Sequence, residues 1–255
     1  MIVLGEPLPP HPELAPRTPF QRGRDWISGE LNGLLSYAVL QVFRLYESTL
    51  EVYAVGTEQL HRARHTGRPV LVALWHGHGL LPICYLEYQH LCLYASHTRD
   101  AATKTHPEDE SVRELGLYMI REFGYEVVDA SRYKTEAHGV VKYIHELKTS
   151  PGGVIAPDGP GGPPYVAKPG AAYIASRAGA VVVPVGVSYG SGLELDHWDR
   201  FGVPLPLSHC ALAFGEGQVP PEKPTEADLN AAALRLQDSL QAQAARASSL
   251  LNSLI

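Results

Sequence analysis

The stretch VLVALWHGHG, residues 70–79, decides the fold. Its first six residues are all apolar, which is typical of a strand buried on both faces of a parallel sheet. The apolar run ends at WHGHG, where two histidines alternate with two glycines. In open α/β sheets, ligands bind beyond the carboxyl ends of the strands. The pattern therefore predicts an α/β fold with a functional site where this strand ends.

Similar short apolar runs recur along the chain and alternate with helical patterns. The other predicted strands cover residues 91–96, 125–129, 153–157, 180–187 and 210–214. The predicted helices cover residues 108–123, 135–148 and 169–178, and a final helix begins after an N-cap at Thr225. This alternation predicts a single domain with a mostly parallel, mixed central sheet flanked by helices.

The residues before this alternation have a different character. Six prolines within residues 1–24 predict an irregular arm. Apolar residues at helical spacing over residues 25–50 predict an amphipathic helical element. The α/β domain then covers residues 51–255, including the C-terminal helix over 225–255.

Composition and charge exclude several classes of protein. A chain of 255 residues with 45% apolar and 19% charged residues is typical of a globular domain, not of a disordered or fibrous chain. A net charge of −6 argues against a nucleic-acid partner. Three scattered cysteines fit a reduced compartment. The first residues lack a basic lead, and the longest apolar stretch, 34–43, is about half the ~20 residues that span a bilayer, so we expect a cytoplasmic protein.

Two histidines, His76 and His78, follow the buried strand between glycines that leave room for a substrate. An imidazole can take and return a proton near neutral pH, so His76 is a candidate general base. The pair also matches an H-x-H metal motif, but Leu80 stands where a metallohydrolase would have its acidic third ligand. We therefore expect no metal.

A second candidate loop, DGPGGPP at 158–164, follows the strand at 153–157 and leads into a helix. Glycines and a helix N-terminus favour an anionic ligand. The candidate binding residues are Asp158, Gly159, Pro160, Gly161, Gly162 and Lys168. Arg99 and Asp100, in SHTRD after the strand at 91–96, are a candidate active-site pair. The alternative for the loop is an ordinary tight connection between strand and helix. The alternative for Arg99 and Asp100 is a solvated ion pair.

A third motif, GVSYG at 186–190, matches the G-x-S-x-G of serine esterases, with Ser188 as the nucleophile. That motif needs a helix directly after the serine, whereas SGLELDHWDRFGVPLP follows here. The candidate triad partners are also crowded close to the serine. We interpret the match as accidental, and a serine esterase remains the alternative hypothesis.

Taken in order, WHG, SHTRD, GYEVVDAS, PDGPGGPPYVAKPG and AVVVPVGV resemble the lysophospholipid acyltransferase superfamily over residues 50–217. The resemblance is strongest to a poorly characterised bacterial branch with Trp-His-Gly and Asp-Gly-Pro-x-Gly-Pro motifs. It implies transfer of a fatty acyl group from acyl-CoA or acyl-carrier protein to a lipid acceptor, with no other cofactor. His76 matches the general base, and the loop at 158–163 matches the acceptor-binding block.

The departures from the family pattern are informative. The acid expected five residues after the histidine is absent, so Asp100 is the first candidate to orient His76 and Glu87 the second. Substrate contacts are expected from His78, Arg99 and Lys168 besides the loop. Gly161 replaces an arginine of the branch, and Asp129 stands where the branch tends to have another. Both changes predict an acceptor less anionic than lysophosphatidate.

An enzyme that acts on lipid must reach a membrane surface. The helical element at 25–50 and a basic cluster at 61–68 are candidate contacts with the inner face of the cell membrane. The candidate residues are Arg22, Arg24, Trp26, Tyr37, Tyr46, His61, Arg62, Arg64, His65 and Arg68. The alternative for the helix is that it only caps the sheet, and the alternative for the whole chain is a non-catalytic lipid-binding protein.

Overall fold

The computed structural model describes residues 2–4, 30–96 and 107–254, with side chains for 36–96 and 113–254. The strands are β1 (Ile2–Leu4), β2 (Glu51–Val55), β3 (Val70–Ala73), β4 (Cys92–Ala95), β5 (Glu126–Asp129), β6 (Gly152–Ile155), β7 (Val181–Tyr189), β8 (Gly192–Glu194), β9 (Gly202–Pro204) and β10 (His209–Phe214). The α-helices are α1 (Glu30–Ser48), α2 (Thr57–His65), α3 (Leu80–Tyr85), α4 (Pro107–Glu122), α5 (Glu136–Thr149), α6 (Gly170–Ala178) and α7 (Glu226–Asn252).

Eight of the strands within these residues form one sheet, in the order β1-β2-β10-β7-β3-β6-β4-β5. Neighbouring strands run parallel except β7 and β10, which are antiparallel. The predicted mostly parallel, mixed α/β sheet flanked by helices is therefore confirmed. The remaining strands, β8 and β9, pair with each other as an antiparallel hairpin that follows β7.

Strand β3 is buried on both faces, which explains its continuous apolar sequence. Val70 and Val72 join the core on the side of α1, α2 and α3. Leu71 and Ala73 join the core on the side of α5, α6 and α7. The sheet is thus the middle layer between two layers of helices.

The long helix α7 packs against β7 and β10. It begins after Thr225, whose hydroxyl accepts from the backbone N–H of Asp228 while the Asp228 carboxylate accepts from the backbone N–H of Thr225. This arrangement confirms the predicted N-cap. Within the described residues, no helix is both long and apolar enough to cross a bilayer.

Several elements differ from the sequence prediction. The Pro-rich segment was expected to be irregular, but Ile2–Leu4 forms an edge strand that pairs parallel with β2. Helix α1 lies within the predicted element at 25–50, while residues 5–29 lie outside the described part of the chain. Strands β2, β8 and β9 and helices α2 and α3 were not predicted. Each is only three to nine residues long, which is too short for a clear periodic pattern.

The contact between β7 and α7 depends on the absence of a side chain at Gly186. A Cβ there would lie 2.0 Å from the backbone carbon of Gln243 and 2.1 Å from the backbone nitrogen of Ala244. We therefore expect Gly186→Ala to lower the free energy of unfolding by about 2 kcal/mol or more. Urea denaturation measures this loss. The matched control is Gly170→Ala, where a Cβ meets no atom of the described residues within 4 Å, and an equal loss in both variants contradicts the prediction.

Candidate active site

The candidate site forms where three neighbouring strands end. Strands β7, β3 and β6 are adjacent and parallel, so their carboxyl ends lie together at one edge of the sheet. A short 3-10 helix, His76–His78, follows β3. The glycine-rich loop at 158–164 follows β6, and the β8–β9 hairpin follows β7. The three segments meet around His76.

The imidazole of His76 has a buried carboxylate as its partner. Its Nδ1 lies 2.6 Å from Oδ2 of Asp199, which is in the turn of the hairpin between β8 and β9. Because a carboxylate only accepts, Nδ1 donates its hydrogen, and the neutral ring then carries its free lone pair on Nε2. The His76 side chain is 48% exposed and that of Asp199 only 3%. His76 can therefore meet a substrate while Asp199 fixes its orientation.

Asp199 has a second histidine partner. Its Oδ1 accepts a hydrogen bond from Nδ1 of His197 at 3.0 Å. Burial on its own would raise the pKa of the Asp199 carboxyl, but the hydrogen bonds from His76 and His197 outweigh it and hold the pKa below its usual range. Asp199 therefore stays ionised, as a group that stabilises a protonated imidazole must.

Gly77 allows the turn of the hairpin to reach the site. A Cβ on Gly77 would lie 2.0 Å from the backbone oxygen of Asp199. The neighbouring Trp198 packs on the His76 ring, with 5.1 Å between ring centroids. Trp198 also lies against Gly162, where a Cβ would be 2.9 Å from the indole. The hairpin turn is thus held between the 3-10 helix and the glycine-rich loop.

Two residues predicted to bind substrate, Asp158 and Lys168, make contacts within the protein that position the loops. Asp158 is fully buried, and its carboxylate accepts from the backbone N–H groups of His76 at 3.0 Å and Tyr165 at 3.2 Å. Asp158 thus joins the 3-10 helix to the glycine-rich loop, and its contact with a substrate stays a prediction. Lys168 directs its ammonium group to the backbone oxygen of Pro160 at 2.7 Å. Lys168 therefore closes the glycine-rich loop upon itself.

The glycines of this loop lie next to the candidate base. A Cβ on Gly159 would be 3.7 Å from Cδ2 of His76. Gly161 and Gly162 have φ angles of +74° and +69°, in the left-handed region that favours glycine. Gly161 is exposed, and as a glycine it brings no charge to the surface of the site. Substrate binding by Gly159, Pro160, Gly161 and Gly162 stays a prediction.

His78 has a different environment from His76. Its Nε2 lies 3.5 Å from the Tyr165 hydroxyl, and its buried Nδ1 has no hydrogen-bond partner among the described residues. Burial lowers the pKa of His78, and the carboxylates of Asp158 and Glu194 oppose this only in part. His78 and His76 thus have separate partners. Within the described ranges, no group of three or more His, Cys, Asp or Glu residues could hold a metal ion.

The acid on His76 is therefore Asp199, which was not among the acids expected to orient it. Glu87, the second candidate for orienting His76, instead forms an ion pair with Arg44 of α1 at 2.5 Å. Arg99 and Asp100 lie outside the described residues. Asp199 was missed because 123 positions separate it from His76 and no local periodicity connects them. The only local signal is an acid beside a tryptophan in the hairpin, DHWDR at 196–200.

Ser188 is not on a nucleophile elbow. It lies inside β7 and pairs with Ala211 of the antiparallel strand β10. The chain then continues into β8, whereas an esterase would place a helix directly after the serine. The geometry thus gives no support to the esterase alternative.

The candidate membrane contacts differ in their positions and partners. Tyr37 of α1 is exposed, whereas Tyr46 donates its hydroxyl hydrogen to the backbone oxygen of Pro204 at 2.8 Å. His65 and Arg68 precede β3, at the opposite end of this strand from His76. Arg22, Arg24 and Trp26 lie outside the described residues.

Comparisons with known proteins add two similarities. No family model matches the chain. An uncharacterized protein of Rickettsia prowazekii is 27% identical over 97 residues, which are 38% of this chain and 44% of that protein. The chain thus matches less than half the length of this relative. A crystal structure of the 1-acyl-sn-glycerophosphate acyltransferase from Thermotoga maritima aligns with a TM-score of 0.48 and 15% identity, over 88% of this chain and 84% of that chain.

The lowered pKa of His78 predicts that the stability of the fold depends on pH. Below the ordinary histidine value of 6.5, the unfolded chain binds a proton that folded His78 resists, so stability falls as the pH falls. We expect the wild type to lose more unfolding free energy between pH 7 and pH 5 than His78→Gln does. Urea denaturation at both pH values measures the difference. His145 is exposed, and His145→Gln is the control. If His145→Gln reduces the loss of unfolding free energy as much as His78→Gln does, the pH effect does not come from His78.

Proposed function

We propose that this chain is an acyltransferase that moves a fatty acyl group from a thioester donor to a lipid acceptor, with His76 as the general base. The observation that carries the proposal is the bond of 2.6 Å between Nδ1 of His76 and the buried Asp199, on an imidazole whose other side is open. The ordered motifs that resemble the lysophospholipid acyltransferases support the same reaction.

In the proposed reaction, Nε2 of His76 takes the proton of an acceptor hydroxyl as its oxygen attacks the thioester carbonyl. Asp199 stabilises the resulting imidazolium, and backbone amides of the loop at 158–164 stabilise the oxyanion. The carbon–sulfur bond then breaks, and the departing thiolate takes the proton back from His76. The products are an acylated lipid and a free thiol. No covalent acyl-enzyme and no cofactor are required.

The acceptor we propose carries less negative charge than lysophosphatidate. Gly161 supplies no cation, and the ammonium group of Lys168 is directed to a backbone carbonyl. At the end of β5, buried Asp129 pairs with Arg113, and with Arg132 at 3.5 Å. The Asp129 carboxylate would therefore compete with a phosphomonoester for these two arginines.

The donor we propose is acyl-CoA or acyl-carrier protein, and the place of action is the inner face of the cell membrane. Support for membrane contact comes from α1, whose exposed side carries three large apolar side chains, Tyr37, Val42 and Leu45. A helix with an exposed apolar face is typical of a protein that lies on a bilayer.

Replacing the base tests the reaction directly. We expect His76→Ala to lower transfer by about 10²–10⁴-fold, because general base catalysis is worth that much. Purified protein is incubated with radiolabelled acyl-CoA or acyl-carrier protein and a total lipid extract, and label in new lipid is measured. Ser188→Ala is the control and should retain wild-type transfer.

Each alternative has its own outcome in this assay. Release of free fatty acid, abolished by Ser188→Ala, would identify the serine esterase. Lipid binding with neither transfer nor hydrolysis by the wild type would identify a non-catalytic lipid-binding protein. Either result overturns the proposal.

A second test substitutes Gly77, a change that removes no chemical group from the site. We expect Gly77→Ala to lower transfer on the order of 10²-fold, because its Cβ displaces Asp199 from His76. Asp199→Asn should cause a similar loss, and the double variant should lose no more than the greater single loss. Turnover of the four proteins is compared, with Gly116→Ala as the control since its Cβ meets no described atom within 4 Å. Additive losses contradict the shared mechanism.

A further inference from the structure

The β8–β9 hairpin has two unlike faces. Its register pairs Gly192 with Pro204, Leu193 with Val203, and Glu194 with Gly202. Because side chains alternate along a strand, the first and third pairs share one face and the middle pair lies on the other. We call these the inner face and the outer face.

The inner face packs on the body of the protein. A Cβ on Gly192 would lie 2.2 Å from the Tyr189 ring, and one on Gly202 would lie 2.3 Å from the Tyr189 hydroxyl oxygen. Glu194, also on this face, acts electrostatically on His78 and Tyr165. The inner face is therefore turned towards the candidate active site.

The outer face is aliphatic and exposed to solvent. It consists of Leu193, Leu195 and Leu205 with half-buried Val203, and exposed Leu207 lies in the turn that follows Leu205. The four leucines are 57%, 51%, 40% and 78% exposed, respectively. None of these side chains is charged or can form a hydrogen bond. Exposure of this much apolar surface to water is unfavourable in free energy, and burial against an apolar partner would remove that penalty.

This face is joined directly to the catalytic candidates. The turn between β8 and β9 carries Trp198 and Asp199, and the backbone N–H of Leu195 donates to the oxygen of Phe201 at 2.9 Å across its base. Two bonds fix the other end to α1 and the residue after it, from the Tyr46 hydroxyl to the backbone oxygen of Pro204 and from the Leu207 N–H to the hydroxyl of Thr49 at 3.3 Å. The outer face thus has a fixed position relative to His76.

We infer that the outer face of this hairpin inserts into a phospholipid bilayer. The inference rests on the proposed function, since a lipid acceptor resides in the bilayer and must reach His76. The three hairpin leucines and the adjoining Leu207 together expose on the order of 400 Å², about half of what each partner buries in a stable protein interface. Protein interfaces also use aromatic and arginine anchors and hydrogen bonds, which this face lacks. An aliphatic protrusion of this size fits the acyl region of a membrane.

The test compares two double variants of matched exposure. Leu193→Gln with Leu195→Gln changes the outer face, and Val141→Gln with Leu234→Gln changes residues that are 65% and 60% exposed on α5 and α7. Co-sedimentation with vesicles of phosphatidylcholine and phosphatidylethanolamine measures the partition coefficient. We expect at least a tenfold fall for the first variant and less than a twofold change for the second. Circular dichroism confirms that both variants are folded.

Two further measurements distinguish the outcomes. Because the outer face is uncharged, binding at about 0.5 M salt should stay within twofold of its low-salt value, whereas salt-labile binding would indicate a charged patch. Size-exclusion chromatography shows whether the outer-face variant converts a dimer to a monomer, which would make a second copy of the chain the occupant. Wild-type protein that does not bind the vesicles, or an outer-face variant that binds equally well, overturns the inference.

The vesicle assay is also independent of the proposed chemistry. His76→Ala should bind vesicles as the wild type does, because His76 is not on the outer face. If no transfer is found with any acceptor, the proposed function fails while the partition coefficients still decide the inference. If transfer is found but the outer face has no effect on binding, only the inference fails.

Discussion

The candidate site depends on the close approach of the Asp199 backbone to Gly77. This contact sets the distance at which the Asp199 carboxylate meets Nδ1 of His76, and any side chain at Gly77 would occupy the position of the Asp199 carbonyl oxygen. The constraint therefore combines two requirements. The chain needs a residue without Cβ directly after His76, and it needs a hairpin long enough to return to the same sheet edge.

A second buried carboxylate supports this arrangement in a different way. Asp158 accepts from the backbone of His76 and of Tyr165, so it joins the 3-10 helix to the glycine-rich loop. Asp199 contacts the imidazole of the same residue. One acid thus fixes the main chain of His76 and the other fixes its side chain, with both charges satisfied by hydrogen bonds away from bulk water. The rest of the imidazole stays open to solvent.

The sequence predicted the features that local patterns encode. The buried strand β3 and the cap at Thr225 depend on neighbouring residues in the sequence, and the structure has both. It also places His76 directly beyond the end of this strand. The orienting acid could not be predicted in this way, because its partnership with His76 depends on two short strands without a clear pattern. Asp158 was identified as a site residue, but its bonds to the two loops were not predicted, because burial and backbone partners are properties of the folded chain.

The hairpin also explains how a residue so far along the chain can be placed accurately. It is not a free loop, since β7 ends at Tyr189 and the inner-face glycines pack directly on that tyrosine ring. Side-chain-free positions at Gly192 and Gly202 allow this contact, and the bonds from Tyr46 and Thr49 hold the opposite end. Because both ends are fixed to the sheet and to α1, little conformational entropy is lost when Asp199 meets His76. A force on the exposed leucines would then act on the same rigid element that carries the acid.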